Sequence, residues 1–156
     1  MGDDEMPTAL APPAPPASHE PKSSTTYRLT TANVPTAAAV LRNLVVTLLC
    51  TTGHETLAQT ARLLTSEIVT NVYRHTATRV VHVEVTVDER QTWVYVHDDK
   101  PRYRPMPPEV ADGEGGLGLF IVDECADAWG ITHYGAQVPT SKAVWFRLVE
   151  GGRGSS

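Results

Sequence analysis

One alternating segment constrains the fold of this chain more than any other feature. At residues 81–88, four valines occupy every second position and polar residues fill the positions between them, which is typical of a strand with one buried face. Residues 93–98 are its expected hairpin partner. Alternation divides that partner into two faces, one with Val94, Val96 and Asp98 and the other with Trp93, Tyr95 and His97. An acid therefore ends the aliphatic face of the second strand.

Helical spacing of apolar residues appears on both sides of this hairpin. One helix is expected to open at Pro35, and a second in the segment 52–75, which begins with a capping-box pattern. A third helix is expected to follow Gly115–Gly118 and to end near Asp127.

Short strands are expected at residues 27–31, 129–134 and 143–149. The resulting order of elements is β-α-α-β-β-loop-α-β-β. This order predicts an α/β (α+β) two-layer sandwich, in which three helices cover one face of a mixed, mostly antiparallel sheet.

The first 26 residues do not fit this domain. They contain six of the 12 prolines and no aromatic residue, so they bury too little apolar surface to offset the loss of chain entropy on folding. We expect a disordered proline-rich tail at 1–26, one domain at 27–149 and a flexible C-terminus at 150–156. Without the tail, the chain has 14 acidic and 12 basic residues, a net charge of −2. This balance offers no basic excess for a nucleic-acid backbone.

The sequence also lacks the patterns of an exported or membrane-spanning protein. Its N-terminus is acidic, unlike a secretory signal. Its longest apolar run, Ala37 to Cys50, is shorter than the roughly 20 residues that cross a bilayer. Cys50 and Cys125 lie in apolar helical patterns, where a buried, reduced thiol is more common than a disulfide. We therefore expect a cytoplasmic protein.

A row of polar residues runs along one edge of the second helix. Glu67, Asn71 and His75 are spaced four residues apart, with Arg74 beside the last of them, so they share one side of the helix. The row fits a solvated helix edge. It also fits a reactive site, because an amide oxygen is a suitable ligand for Mg²⁺ and a carboxylate one turn away is a candidate base.

Two further features permit both an ordinary and a functional interpretation. The glycines at 115, 116 and 118 fit either a plain turn or a loop whose backbone N–H groups bind phosphate at a helix start. Asp98 fits either a turn cap at the end of a strand or a buried acceptor for a donor such as the exocyclic amine of adenine.

Three segments, taken together and in this order, resemble the motifs of one superfamily. Residues 66–75 (SEIVTNVYRH) resemble the N box of the Bergerat-fold (GHKL) ATPases, residues 96–101 (VHDDKP) their adenine-binding G1 box, and residues 114–122 (EGGLGLFIV) their G2 box. The spacing of glutamate, asparagine and histidine, followed by GGLGL, looks most like the stand-alone serine/threonine kinases that act as anti-sigma factors. The resemblance covers about residues 27–149.

The resemblance implies a role for each matching residue, with ATP and Mg²⁺ as cofactors. Glu67 would be the general base and Asn71 the Mg²⁺ ligand, while Asp98 would accept a hydrogen bond from adenine. The other positions expected at the nucleotide are Arg74, His75, Lys100, Gly116, Leu117, Gly118, Leu119 and Lys142, of which Lys142 would reach a phosphate. Residues 100–114 would form a lid. The implied partners are a sigma factor, an anti-anti-sigma (STAS) protein or both.

Three positions depart from the family pattern. Lys100 stands where the G1 box has glycine, Ala143 replaces a threonine of the last strand, and the acidic Glu114 precedes the glycines. The main hypothesis is an ATP-dependent serine/threonine protein kinase that regulates a sigma factor through a STAS partner. The departures motivate two alternatives, a nucleotide-gated regulatory binding protein without turnover and a domain that has lost nucleotide binding.

Trp93 and Trp145 lie opposite the aliphatic faces of their strands. Either helices cover this second face, or it is an exposed patch for a partner or for a second copy of the chain in a homodimer. The sequence leaves both alternatives open.

Overall fold

The computed structural model describes residues 24–101 and 114–156, and for residues 114–118 it describes the backbone alone. The described chain forms eight elements, in the order predicted. They are β1 (Thr25–Ala32), α1 (Ala37–Thr51), α2 (Glu55–His75), β2 (Val80–Val87), β3 (Gln91–Asp98), α3 (Glu114–Cys125), β4 (Ala128–Tyr134) and β5 (Ser141–Val149). β1 begins two residues before the expected domain boundary, and residues 1–23 of the expected tail lie outside the described residues.

The strands form one sheet in the order β1-β2-β3-β5-β4. Every neighbouring pair in it is antiparallel, whereas the sequence expectation allowed a mixed sheet. Two helices lie between β1 and β2, and together they bring the chain back to the end of the sheet where β1 finished. β2 therefore runs in the opposite direction to β1. The predicted hairpin of β2 and β3 lies in the middle of the sheet, where β2 pairs with β1 and β3 pairs with β5.

The aliphatic face of the sheet packs against the helices. Valines of β2 and β3 meet the apolar stripes of α1 and α2, with Val122 of α3 beside them. All four valines of the alternating segment are 5% exposed or less. This layer of helices on one side of a sheet is the predicted two-layer sandwich.

The opposite face of the sheet carries a second, aromatic cluster. Its members are Trp93, Tyr95, Ala143 and Trp145, with Ala128 packed against them. Gly130 makes room for this cluster, since a Cβ at that glycine would stand 3.0 Å from the Trp145 ring. Neither sequence alternative describes this face: the three helices pack on the other side, yet Trp93 and Trp145 are 2% and 7% exposed.

The predicted capping box at the start of α2 does not form. The residue that precedes the first turn of α2 is His54, and its side chain makes no capping bond. The Thr52 hydroxyl, which begins the predicted box, donates instead to carbonyls in the last turn of α1. His54 is buried, and its two ring nitrogens lie 2.8 Å from the Glu150 carboxylate and 2.8 Å from the Asp88 carbonyl. A tertiary contact thus replaces the local one.

The C-terminal residues 150–156 lie against α2 and the end of α3, in contrast to the flexible C-terminus expected. The Thr60 hydroxyl donates to the Gly154 carbonyl at 2.8 Å. Asp127, which follows α3, accepts the N–H of Arg153 at 3.1 Å. The composition of the segment, rich in glycine and serine, gave no indication of these contacts, because their partners lie far away along the chain.

Helix α3 differs from the expectation at its start. It begins at Glu114, so the glycines lie in its first turns rather than in a loop before it. Beyond its other end, the indole N–H of Trp129 on β4 donates to the Asp123 carboxylate at 3.0 Å. This bond ties the helix to the sheet.

Two further expectations concern the surface of the chain. Cys50 is exposed and Cys125 is half-buried, so the prediction of a buried thiol at position 50 is wrong. Within the described residues, no helix combines the length and the apolar character needed to span a membrane.

Candidate functional site

The residues of the predicted polar row on α2 differ in their burial. Asn71 is 8% exposed, because it lies next to the apolar stripe that packs on the sheet. Glu67, one turn earlier, is half-buried, while Arg74 and His75 are exposed. The row is therefore not a solvated edge along its whole length.

A small cavity joins Asn71 to the end of the sheet. It lies where α2, α3, β3 and β5 meet, and its lining residues are Ile68, Asn71, Val72, Asp98, Leu119, Lys142 and Val144. Four of the predicted site residues, Asn71, Asp98, Leu119 and Lys142, thus lie around one space although they are far apart in sequence.

Asp98 ends the aliphatic face of β3, as the alternation predicted. It is buried, and its carboxylate accepts the N–H of Lys100 at 2.7 Å. This bond is the turn cap considered above, and the burial also fits the acceptor interpretation. The Lys100 side chain itself is exposed, so it leaves the space beside Asp98 to other groups.

Lys142 also contacts the Asp98 carboxylate. The register of β3 and β5 places it directly opposite Asp98. Its Nζ lies 2.8 Å and 2.7 Å from the two carboxylate oxygens and 3.0 Å from the Lys100 carbonyl. Burial lowers the pKa of Lys142, while the hydrogen bonds and charge of Asp98 oppose that shift. We expected Lys142 to reach a phosphate, and the structure instead places its ammonium on Asp98.

The pairing of Lys142 with Asp98 was missed by the sequence reasoning, although a pattern in the last strand pointed to it. Alternation along β5 puts Lys142 on the same face as Val144 and Phe146, which are core residues. Lys142 therefore continues a buried face, as Asp98 does on β3. Two opposite charges that end neighbouring aliphatic faces are candidates for a buried pair.

Thr78 was also missed. It is buried between α2 and β2, and its hydroxyl accepts the N–H of Asp99 at 3.3 Å. Its carbonyl accepts the side-chain amide of Asn33 at 2.9 Å. Thr78 thereby holds the chain just beyond Asp98, and nothing in the nearby sequence marks it because its partners are far away along the chain.

The predicted phosphate-binding end of the site is described in part. The backbone of residues 114–118 forms the first turns of α3, where N–H groups without helical partners favour an anion. This region includes the expected positions Gly116, Leu117 and Gly118. Residues 102–113, which are most of the expected lid, lie outside the described residues.

A larger hollow, of about 460 Å³, lies on the face of the sheet away from the helices. Three of its titratable side chains contact one another: Glu84 accepts from Arg28 at 2.8 Å and lies 3.2 Å from Nε2 of His97. Burial lowers the pKa of His97, and Glu84 opposes this. Because Asn71 and Leu119 do not line this hollow, we place the candidate site at the smaller cavity.

A comparison with protein families relates this architecture to known proteins. A family model described as a histidine kinase-like ATPase domain matches residues 28–148. The chain belongs to this family. Its antiparallel sheet with helices on one face is the fold of a histidine kinase-like ATPase domain, and the resemblance to the GHKL superfamily is confirmed. No curated protein matches the chain.

A histidine kinase-like ATPase domain is expected to bind a nucleotide, and the residue types at the site are suitable for one. The Asn71 amide oxygen is a suitable Mg²⁺ ligand, and the Asp98 carboxylate can accept from the amine of adenine. Among the described residues, however, the space beside Asp98 is small. With Lys142 in place the cavity there measures about 10 Å³, roughly the room of one water molecule.

Proposed function

We propose that this chain is an ATP- and Mg²⁺-dependent serine/threonine protein kinase that controls a sigma factor by phosphorylating an anti-anti-sigma (STAS) protein. The observation that carries the proposal is that Asn71 and Asp98 line one cavity, with Glu67 one turn away on α2. Membership of the histidine kinase-like ATPase family supports nucleotide binding, and the motif spacing favours the anti-sigma type.

The proposed roles are ones of position and charge, as is usual in phosphoryl transfer. Asp98 would hold the base, Asn71 would bind the metal, and the first turn of α3 would offer N–H groups to the phosphates. Glu67 is half-buried, so a hydroxyl of a partner protein can reach its carboxylate and give up a proton there. When bound, ATP would supply the phosphoryl group and Mg²⁺ would neutralise part of the phosphate charge.

The charge of the chain supports a protein partner. The domain without its tail has a net charge of −2, whereas nucleic-acid binding depends on clustered basic residues. A sigma factor and a STAS protein are both cytoplasmic partners, so the proposed function also places this protein in the cytoplasm.

The test is phosphate transfer from Mg²⁺-ATP to candidate STAS proteins. Glu67→Gln should lower the rate of transfer by about 10²- to 10⁴-fold, the usual contribution of a general base, and should leave ATP affinity almost unchanged. Glu55→Gln, at an exposed glutamate of the same helix, is the matched control and should transfer like wild type. If no STAS protein that binds the chain is phosphorylated, the kinase proposal fails.

A second candidate is a nucleotide-gated regulatory protein that binds its partner without turnover. The contact between Lys142 and Asp98 favours it, because this contact fills the space that a base would need. For such a protein, Glu67→Gln would behave like wild type in partner binding, and no variant would transfer phosphate.

A further inference from the structure

We propose that Lys142 is an internal occupant of the base subsite: its ammonium holds the place on Asp98 that the exocyclic amine of adenine would take. A nucleotide must therefore displace Lys142 in order to bind. This inference rests on the proposed nucleotide-binding function and adds a residue that limits the affinity of the site.

The contacts of the ammonium match those of a bound ligand. Among the described residues, three acceptor oxygens lie within hydrogen-bond distance of Nζ, two from Asp98 and one from the Lys100 carbonyl, and an ammonium has three N–H groups. The two side chains of the pair are 1% and 0% exposed. The pair is thus closed to water and fully engaged.

An adenine amine and an ammonium compete for the same acceptor. Both donate N–H groups, and the carboxylate makes either hydrogen bond charge-assisted, but only the ammonium adds the attraction between two opposite full charges. The occupant also fills space, since the cavity beside it admits about one water molecule. Lys142 thus opposes a purine in two ways, through the hydrogen bond and through volume.

A purely stabilising role explains this placement less well. A buried ion pair is often no more stabilising than apolar residues of similar size, and the other residues of this face of β5 are apolar. The pair lies instead on the cavity that Asn71 and Leu119 line. The lysine stem has four carbons with freely rotating bonds, so the ammonium can leave without movement of the strand.

The first experiment is calorimetry with Mg²⁺-ATP on wild type, Lys142→Thr and Lys142→Met. Threonine removes both the ammonium and the bulk, and methionine removes the ammonium alone. We expect both variants to bind at least tenfold more tightly than wild type, with threonine the tighter. Arg62→Gln removes one positive charge at an exposed position of α2 and should bind like wild type.

The second experiment needs no variant. The chain has three lysines, at positions 22, 100 and 142, so reductive methylation followed by mass spectrometry reports on each. Lys142 should react slowly in the free protein, compared with the exposed Lys100. Saturating Mg²⁺-ATP should accelerate its labelling several-fold, because the displaced ammonium leaves its carboxylate.

The outcomes separate this inference from the proposed function. If wild type binds ATP, but neither Lys142 variant binds more tightly and the labelling of Lys142 is unchanged, the inference is overturned and nucleotide binding stands. If no folded form of the protein binds ATP, the proposed function fails and the inference fails with it. Should both variants be unfolded by circular dichroism, the labelling of wild type alone decides.

Discussion

At the scale of single residues, the two members of the Asp98–Lys142 contact depend on each other for stability. The side chains of Lys142 and Asp98 are 1% and 0% exposed to solvent. In such a pair each charge depends on the other, because removal of one partner leaves a charge in a medium of low dielectric constant.

Asp98→Asn should lower the free energy of unfolding by about 3–5 kcal/mol, because the Lys142 ammonium then stays buried without its carboxylate. Adding Lys142→Met should recover part of this loss, since the double variant buries no charge. Urea unfolding of wild type, both single variants and the double variant measures the coupling between the two sites. A coupling energy near zero would show that the two side chains do not interact in solution.

At the scale of elements, local patterns predicted the helices and strands better than the contacts between them. Alternation predicted the β2–β3 hairpin, and helical spacing predicted α2 to end at His75, because each pattern is read within one segment. Thr52 fits a capping box locally, yet its hydroxyl bonds back to α1. Its neighbour His54 is drawn instead into a contact with Glu150, 96 residues away.

The same distinction holds for the candidate site. Asn71 and Asp98 could be predicted because each lies in a motif with its own local pattern. Alternation marks Lys142 and Asp98 as charges that end buried faces, but it does not show that they meet, because their contact joins residues 44 positions apart and depends on the register between β3 and β5. Strand register is set by packing across the whole sheet, which a single segment does not contain.

The C-terminal segment, an element that the sequence did not predict, depends on a glycine. A Cβ at Gly152 would stand 2.4 Å from Oδ1 of Asp127. That carboxylate cannot yield easily, because it also accepts the N–H groups of Val149 and Arg153. Gly152→Ala should therefore lower the free energy of unfolding by about 1–3 kcal/mol, the usual cost of overpacking.

Chemical denaturation measures this loss, and Ser155→Ala in the same segment is the control, expected to unfold like wild type. Equal midpoints for the two variants would mean that the segment does not pack against Asp127 in solution.

Glu150 gives the same segment a dependence on pH. Burial disfavours its charged form, but hydrogen bonds from Thr56 and His54 and the charge of Arg90 outweigh burial and hold the pKa of Glu150 below its usual value. The stabilisation from the carboxylate is therefore complete above the usual glutamate pKa and is lost as the pH falls through the lowered one.

We accordingly expect Glu150→Gln to be less stable than wild type at neutral pH, and the difference to shrink below about pH 4. Thermal unfolding of both proteins across this range measures the effect. A difference that grows toward acid would contradict the assigned direction of the pKa shift.

At the scale of the whole molecule, the candidate site lies at one end of the helical layer, where α2 and α3 meet β3 and β5. Three of the lining residues, Ile68, Val72 and Val144, also belong to the apolar core between the helices and the sheet. A ligand bound there contacts this core, and its binding energy adds to the stability of the folded state.

Mg²⁺-ATP at about 100 times its dissociation constant should raise the free energy of unfolding by about 2.7 kcal/mol, and so raise the melting temperature by several degrees. Differential scanning calorimetry with and without nucleotide measures the shift. Mg²⁺-GTP is the control and should shift the transition less, because guanine presents a carbonyl to Asp98 where adenine presents an amine. Equal shifts with both nucleotides would show that Asp98 does not read the base.

The hydrogen bond between Trp129 and Asp123 has an optical consequence. The chain has three tryptophans, and two of them, Trp93 and Trp145, are buried on the face of the sheet that the helices do not touch. Trp129 alone bonds to the residues of α3, with its indole half-buried. A shift of α3 would change the polarity around this one indole and leave the other two as a constant background. The intrinsic fluorescence of the unlabelled protein can thus follow the helix that borders the site.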